Sequence, residues 1–190
     1  MSSPRCFVAV ELDDPARRDV GGIIERLRAT GADVKWVAPG NLHLTLKFLG
    51  AVPAGDVPKV VEALHSALGD GGPPAPLAFR LSGVGAFPSA ASPRVVWVGV
   101  TQGQAPLVAL AARVEAALEP LGFLRESRPF SPHLTVGRCR SAKNRATLGE
   151  SLASLRTYEG PPVAVGRVVL FSSDLRPTGP VYTPLATFSL

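Results

Sequence analysis

Short apolar runs alternate with longer amphipathic ones along this chain, and the two periods predict different elements. Arg5 to Val10 reads as a strand because Phe-Val-Ala-Val is β-prone and apolar. Asp13-Asp14-Pro15 marks a helix start, and Val20, Ile23, Ile24 and Leu27 line one face of a helix running to about Thr30. Val34 to Val37 is a short strand, followed by a turn at Pro39-Gly40. From Asn41 to Leu49 the residues alternate strictly. Leu42, Leu44, Leu46 and Phe48 fall on one side; Asn41, His43, Thr45 and Lys47 fall on the other. A helix is expected from about Asp56 to Leu68, then a Gly/Pro-rich loop over 69–76.

The second half repeats the theme. Leu77 to Ser82 and Val95 to Val100 read as strands split by a loop, and a helix spans about Ala105 to Leu121. Pro132 to Arg138 is a strand, residues 142–155 a weaker helix, and Val163 to Phe171 and Val181 to Phe188 closing strands. Helices and strands mix without a strict βαβ rhythm, which predicts an α+β fold with mostly antiparallel sheets. No low-complexity tract or linker divides the chain, so residues 1–190 read as one domain.

Composition changes this picture little. Hydrophobic residues make up 46% of the chain, enough for a core without a disulfide or metal staple. The net charge of +5 mildly favours an anionic partner. Sixteen of the twenty basic residues are arginine, a side chain suited to bidentate phosphate contacts, although a GC-rich genome gives the same bias. Cys6 and Cys139 read as reduced thiols. With no signal-peptide pattern and no long apolar run, a soluble cytoplasmic protein is expected.

One pattern carries chemistry. His43-Leu44-Thr45-Leu46 recurs as His133-Leu134-Thr135-Val136, and these are two of only three histidines in the chain. In each copy His and Thr lie two apart on an expected strand, so they share a face while the apolar pair takes the other. An imidazole with an ordinary pKa near 6.5 can accept or donate a proton at neutral pH. Two of them supply both roles that phosphodiester cleavage needs, and two threonine hydroxyls can hold the phosphate oxygens. No Cys/Asp/Glu/His cluster has metal-ligand spacing, and no Gly-rich nucleotide motif appears, so neither a metal nor a cofactor is expected. A single His-Leu-Thr would most simply be a satisfied strand residue. Two matched copies favour catalysis.

With these motifs the sequence resembles the two-histidine (2H) phosphoesterase superfamily, and within it the RNA 2′,3′-cyclic phosphodiesterases, also named 2′–5′ RNA ligases. The likeness extends through RCFVAVELDD, KWVAPGNLHLTLKFLGAV, FPSAASPRVVWVGV, LGFLRESRPFSPHLTVGRCR and the C-terminal VVLFSSDLRPTGPVYTPLATFSL. Ser131 and Gly137 depart from it, standing where the family often has Thr and Ala. The resemblance implies a bilobal, pseudo-twofold fold whose two sheets, with helices outside, each give one motif to a central cleft. It implies hydrolysis of RNA 2′,3′-cyclic phosphate ends to 2′-phosphates, reversible as 2′–5′ ligation. His43 would protonate the leaving 3′ oxygen, His133 would activate water, and Thr45 and Thr135 would bind phosphate. The motifs themselves are too alike to assign the two histidines.

Arg138 stands where relatives carry a phosphate-binding arginine, yet its odd offset from His133 points it to the wrong face of a straight strand; a bulge at Gly137 would correct this. Lys47 shares parity with His43 and is a candidate for the phosphate too. Phe48 is expected in the core by parity, Phe130 is ambiguous, and His65, without a Thr partner, is expected to be structural or at the surface. Arg125, Arg128, Arg138, Arg140, Lys143 and Arg145 form a basic stretch that would guide an RNA backbone or simply be solvated. The expected partner is RNA with a 2′,3′-cyclic phosphate end; no membrane and no obligate protein partner are expected, and a monomer is expected. Two alternatives stay open: a phosphodiesterase acting on a small cyclic phosphate such as ADP-ribose 1″,2″-cyclic phosphate, and a non-catalytic RNA- or nucleotide-binding module.

Overall fold

The computed structural model describes residues 3–69, 77–177 and 179–190. Among them lie nine strands in two antiparallel sheets. One has the order β3-β1-β8-β9, from β1 (Arg5–Glu11), β3 (His43–Ala51), β8 (Arg167–Arg176) and β9 (Gly179–Ser189). The other has the order β2-β6-β5-β4-β7, from β2 (Val34–Trp36), β4 (Leu77–Ser89), β5 (Ser92–Gln102), β6 (His133–Cys139) and β7 (Glu159–Val165). The four α-helices are α1 (Asp14–Arg28), α2 (Val57–Leu68), α3 (Gln104–Leu118) and α4 (Arg145–Ser154). The α+β expectation holds. No helix among the described residues is long and apolar enough to cross a membrane.

Local signals explain several boundaries. Asp13 caps α1 by accepting from the Ala16 N–H at 2.9 Å, Pro15 fits the first turn, and Arg26 and Arg28 face the negative end. Val20, Ile23, Ile24 and Leu27 are the buried stripe of that helix, as the spacing predicts. Two expectations fail. Residues 83–94 are no loop: β4 and β5 run through them as a hairpin, paired to Ser89↔Ser92. Gly, Pro and Ser mimic loop composition there, while Val84 and Ala86 keep strand alternation by facing the core. The expected strand Val163–Phe171 is two strands in different sheets, β7 and β8, separated at Gly166. Pro161 and Pro162 hid the start of β7, which tolerates them because it is an edge strand. Residues 70–76 of the expected 69–76 loop lie outside the described residues.

One apolar core joins the two sheets. Val8 and Val10 of β1, Leu44 and Leu46 of β3, Val98 of β5, Leu134 and Val136 of β6 and the buried stripes of α1 and α3 belong to a single cluster. The strands β3 and β6 pack against one another, and α3 lies against β3. The apolar halves of both motifs thus point into the shared core, which leaves the His and Thr halves on the open faces.

Candidate active site

His43 and His133 each open a strand, β3 and β6. Their surroundings match. Nδ1 of His43 lies 2.7 Å from the Asn41 carbonyl oxygen, and Nδ1 of His133 lies 2.8 Å from the Ser131 carbonyl oxygen. A carbonyl only accepts, so each Nδ1 carries the hydrogen and each Nε2 is left free to exchange a proton. The backbone two residues upstream therefore sets tautomer and ring orientation in both copies. Around His43 that backbone is itself braced. Asn41 Nδ2 donates to the Pro180 carbonyl at 2.9 Å, and Arg17 Nη1 donates to the Pro39 carbonyl at 3.0 Å.

Both strands carry a bulge at the same place. Along β1, Val8 pairs with Lys47 and Ala9 with Thr45, so Leu46 is the extra residue. Along β5, Val96 pairs with Gly137 and Trp97 with Thr135, so Val136 is the extra residue. Each bulge reverses the alternation that follows it. Thr45 and Thr135 precede it and stay beside their histidines. Arg138 follows it and returns to the open face, where it is solvent-exposed. The parity conflict at Arg138 is resolved by a bulge at Val136, one residue before Gly137.

The same bulge corrects two expectations on β3. Lys47 does not face the cleft. It is turned inward, only 3% exposed, with Nζ donating to Glu115 Oε1 at 3.0 Å and to the Leu124 carbonyl at 2.8 Å. Phe48, expected in the core, is instead 62% exposed on the cleft side and tilted against Phe7. Gly137 occupies the position in β6 that Lys47 holds in β3. A Cβ there would come within 2.7 Å of Val34 and 2.8 Å of Trp36, so the close approach of β2 demands glycine.

The open face of the first sheet is aromatic and charged. Phe7 stacks under His43 at 4.8 Å, Phe171 stacks on Phe7 at 5.3 Å, and Tyr182 meets His43 edge-on at 5.2 Å. Glu11, across from His43 in the β1–β3 ladder, pairs with Arg167 at 2.7 Å and Arg17 at 3.5 Å. Glu11, Arg17, Arg167, Phe171 and Tyr182 border a recess of about 310 Å³ beside His43. Burial lowers the His43 pKa below its ordinary value and the nearby Arg17 adds to this, while the Asn41 carbonyl and Glu11 oppose it. Burial raises the Tyr182 phenol pKa, and the Arg138 guanidinium acts against that rise.

Glu11, Arg17, Arg167 and Tyr182 escaped the sequence reading. They reach His43 only through cross-strand pairing and a helix start, which no local motif marks. His65 is exposed on α2, the surface one of its two expected settings. In the basic stretch Arg125 is paired with Glu119 at 2.9 Å, while Arg128, Arg140 and Lys143 are exposed. Phe130 packs partly against the main core. Among the described residues no three His, Cys, Asp or Glu side chains converge as a metal-ligand set.

The profile of the 2′-5′ RNA ligase superfamily matches residues 12–176. The chain belongs to that superfamily. Among relatives of this ligase superfamily member is the RNA 2′,3′-cyclic phosphodiesterase of Methanothermobacter thermautotrophicus, 37% identical with 98% of each chain covered. The Thermotoga maritima protein of the same name is 34% identical, covering 95% of this chain and 92% of its own. Among solved structures, TT0787 of Thermus thermophilus superposes on this chain with a TM-score of 0.80 at 30% identity, covering 98% of this chain and 97% of its own. Escherichia coli LigT complexed with 3′-AMP gives 0.74 at 26% identity, covering 99% and 98%. The two-sheet 2H phosphoesterase fold implied by the family resemblance is therefore present.

Proposed function

We propose that this protein is an RNA 2′,3′-cyclic phosphodiesterase that hydrolyses the cyclic end to a 2′-phosphate with two histidines and no metal. The observation that carries the reading is the matched setting of His43 and His133, each with Nδ1–H held by the carbonyl two residues upstream. Near-full-length relatives of the same name support it. In the proposed step His133 Nε2 takes a proton from water, and the water oxygen forms a bond to phosphorus. The P–O3′ bond breaks, and His43 Nε2–H protonates the departing 3′ oxygen. The product is a 2′-phosphate with a free 3′-hydroxyl. Thr45 and Thr135 donate to non-bridging oxygens, and Arg138 balances their negative charge. Burial lowers the His43 pKa in the free protein; the phosphate anion raises its proton affinity when substrate binds, which arms it as the acid. The two free cysteines fit a cytoplasmic setting.

His43→Ala and His133→Ala should each lower turnover of a cyclic-phosphate RNA by about 100-fold or more, the low end for general acid–base catalysis. Near-wild-type turnover by either folded variant sinks the two-histidine mechanism.

A further inference from the structure

Arg17 stands in the first turn of α1, where the helix macrodipole opposes a cation. Capping does not require it, because Asp13 already accepts from the Ala16 N–H. Its guanidinium reaches other elements instead. Nε donates to the Leu12 carbonyl at 2.9 Å, just past the end of β1. Nη1 donates to the Pro39 and Gly40 carbonyls at 3.0 and 3.3 Å, and Nη2 pairs with Glu11 at 3.5 Å. The side chain is only 19% exposed, so these partners stand in for water. Pro39–Asn41 is a single 3₁₀ turn. Arg17 takes its first two carbonyls, and the last, of Asn41, receives Nδ1–H of His43. The second motif lacks this support. Among the described residues no arginine reaches the backbone around Ser131, whose carbonyl holds His133.

We propose that Arg17 is a positioning residue for the reaction: by gripping the Pro39–Asn41 turn it fixes the Asn41 carbonyl, and through that carbonyl it holds His43 with Nδ1 protonated and Nε2 facing the substrate. The inference rests on the phosphodiesterase reading only for what His43 Nε2 meets. A planar fork suits this task, since it spans several fixed acceptors at once. The charge has a separate effect on His43, which it shares with Glu11 from β1 and with burial against the aromatic face of Phe7, Phe171 and Tyr182. Arg167 of β8 is held off by its pairing to the same Glu11.

The tautomer of His43 reports the positioning directly, with no turnover required. It is read from a long-range proton–nitrogen NMR spectrum of the isotope-labelled, folded protein at a pH where His43 is neutral, and assigned by the signals lost in His43→Gln. An imidazole in water favours the Nε2–H tautomer; wild-type His43 should show Nδ1–H alone. Arg17→Lys keeps the charge, but a single ammonium cannot span the four partners at Leu12, Pro39, Gly40 and Glu11. It should show both tautomers of His43 while the His133 signals stay in place. Its kcat for a cyclic-phosphate RNA should fall by about 10-fold or more with KM within about twofold, the mark of a misplaced group rather than a lost substrate contact. Lys47→Met, which loosens the core side of β3, should leave the His43 tautomer unchanged. A single Nδ1–H form retained in Arg17→Lys overturns the proposal, as does an unchanged kcat or a loss confined to KM. The same tautomer mixing in Lys47→Met also overturns it, because the effect is then one of general stability. If the wild type turns over no cyclic phosphate, the phosphodiesterase reading fails and the tautomer comparison alone decides the role of Arg17.

Discussion

Replacing Lys47 with methionine separates two accounts of this residue. The phosphate account predicts weaker substrate binding in a protein of normal stability. The structure predicts the reverse emphasis. Lys47 Nζ makes two bonds at 3.0 and 2.8 Å, to Glu115 of α3 and to the Leu124 carbonyl, from a side chain that is 1% exposed. Glu115 Oε1 also accepts the Glu126 N–H at 2.9 Å. The first motif strand is thereby tied to the segment that leads into Ser131 and His133. Stranding a fully buried partner costs about 3–5 kcal/mol. Here Glu115 keeps the Glu126 N–H and is 21% exposed to water, and methionine retains the apolar stem. A loss of about 2 kcal/mol is expected, or roughly 4–8 °C in Tm for a chain of this size. Urea denaturation measures it. A Glu115→Leu partner mutation should restore at least about 1 kcal/mol in a double-mutant cycle. The pH dependence has a definite sign. Burial raises the Glu115 pKa, but the Glu126 N–H and Lys47 outweigh it and leave the carboxyl below its ordinary value. The folded state thus binds the proton less readily than the unfolded one. Its stabilisation is present above the unfolded pKa and is lost as pH falls through the folded pKa. Lys47→Met should flatten that acid limb. An unchanged urea midpoint with a raised KM refutes the clamp and restores the phosphate role.

Two further outcomes follow from the electrostatics. The His43 pKa is lowered mainly by burial, so binding a non-titrating tetrahedral anion such as sulfate just above that pKa should take up protons, read by calorimetry in buffers of different ionisation enthalpy; proton release, or uptake that persists in His43→Gln, contradicts it. Arg138 is exposed and its charge acts against the raised Tyr182 pKa, so Arg138→Ala should weaken phosphate-bearing ligands by about 10-fold and raise the Tyr182 pKa further in an ultraviolet titration; an unmoved Tyr182 places the guanidinium elsewhere.

The reading of residues alone went far because the two motifs are repeated and their apolar halves are core. Leu44, Leu46, Leu134 and Val136 are buried as alternation demands, and His43, Thr45, His133 and Thr135 take the open side. Alternation failed where register shifts. One extra residue at Leu46 exchanged Lys47 and Phe48, and the matching one at Val136 restored Arg138. A bulge leaves no dependable mark in a single strand, since it is defined by the partner. The groups around His43 were hidden for a similar reason. Glu11 arrives from β1, Arg17 from the start of α1 and Tyr182 from β9. The β4–β5 hairpin was missed because Gly and Pro serve there as room for Trp97 and as strand ends, whereas composition reads them as a loop.

The most direct test of the account is to incubate the purified protein, in EDTA, with an RNA oligonucleotide ending in a 2′,3′-cyclic phosphate and to resolve the product by phosphate position. The account predicts a 2′-phosphate in the wild type and none from His43→Ala or His133→Ala. A 3′-phosphate product, or turnover that disappears in EDTA and returns with a divalent metal, would contradict it.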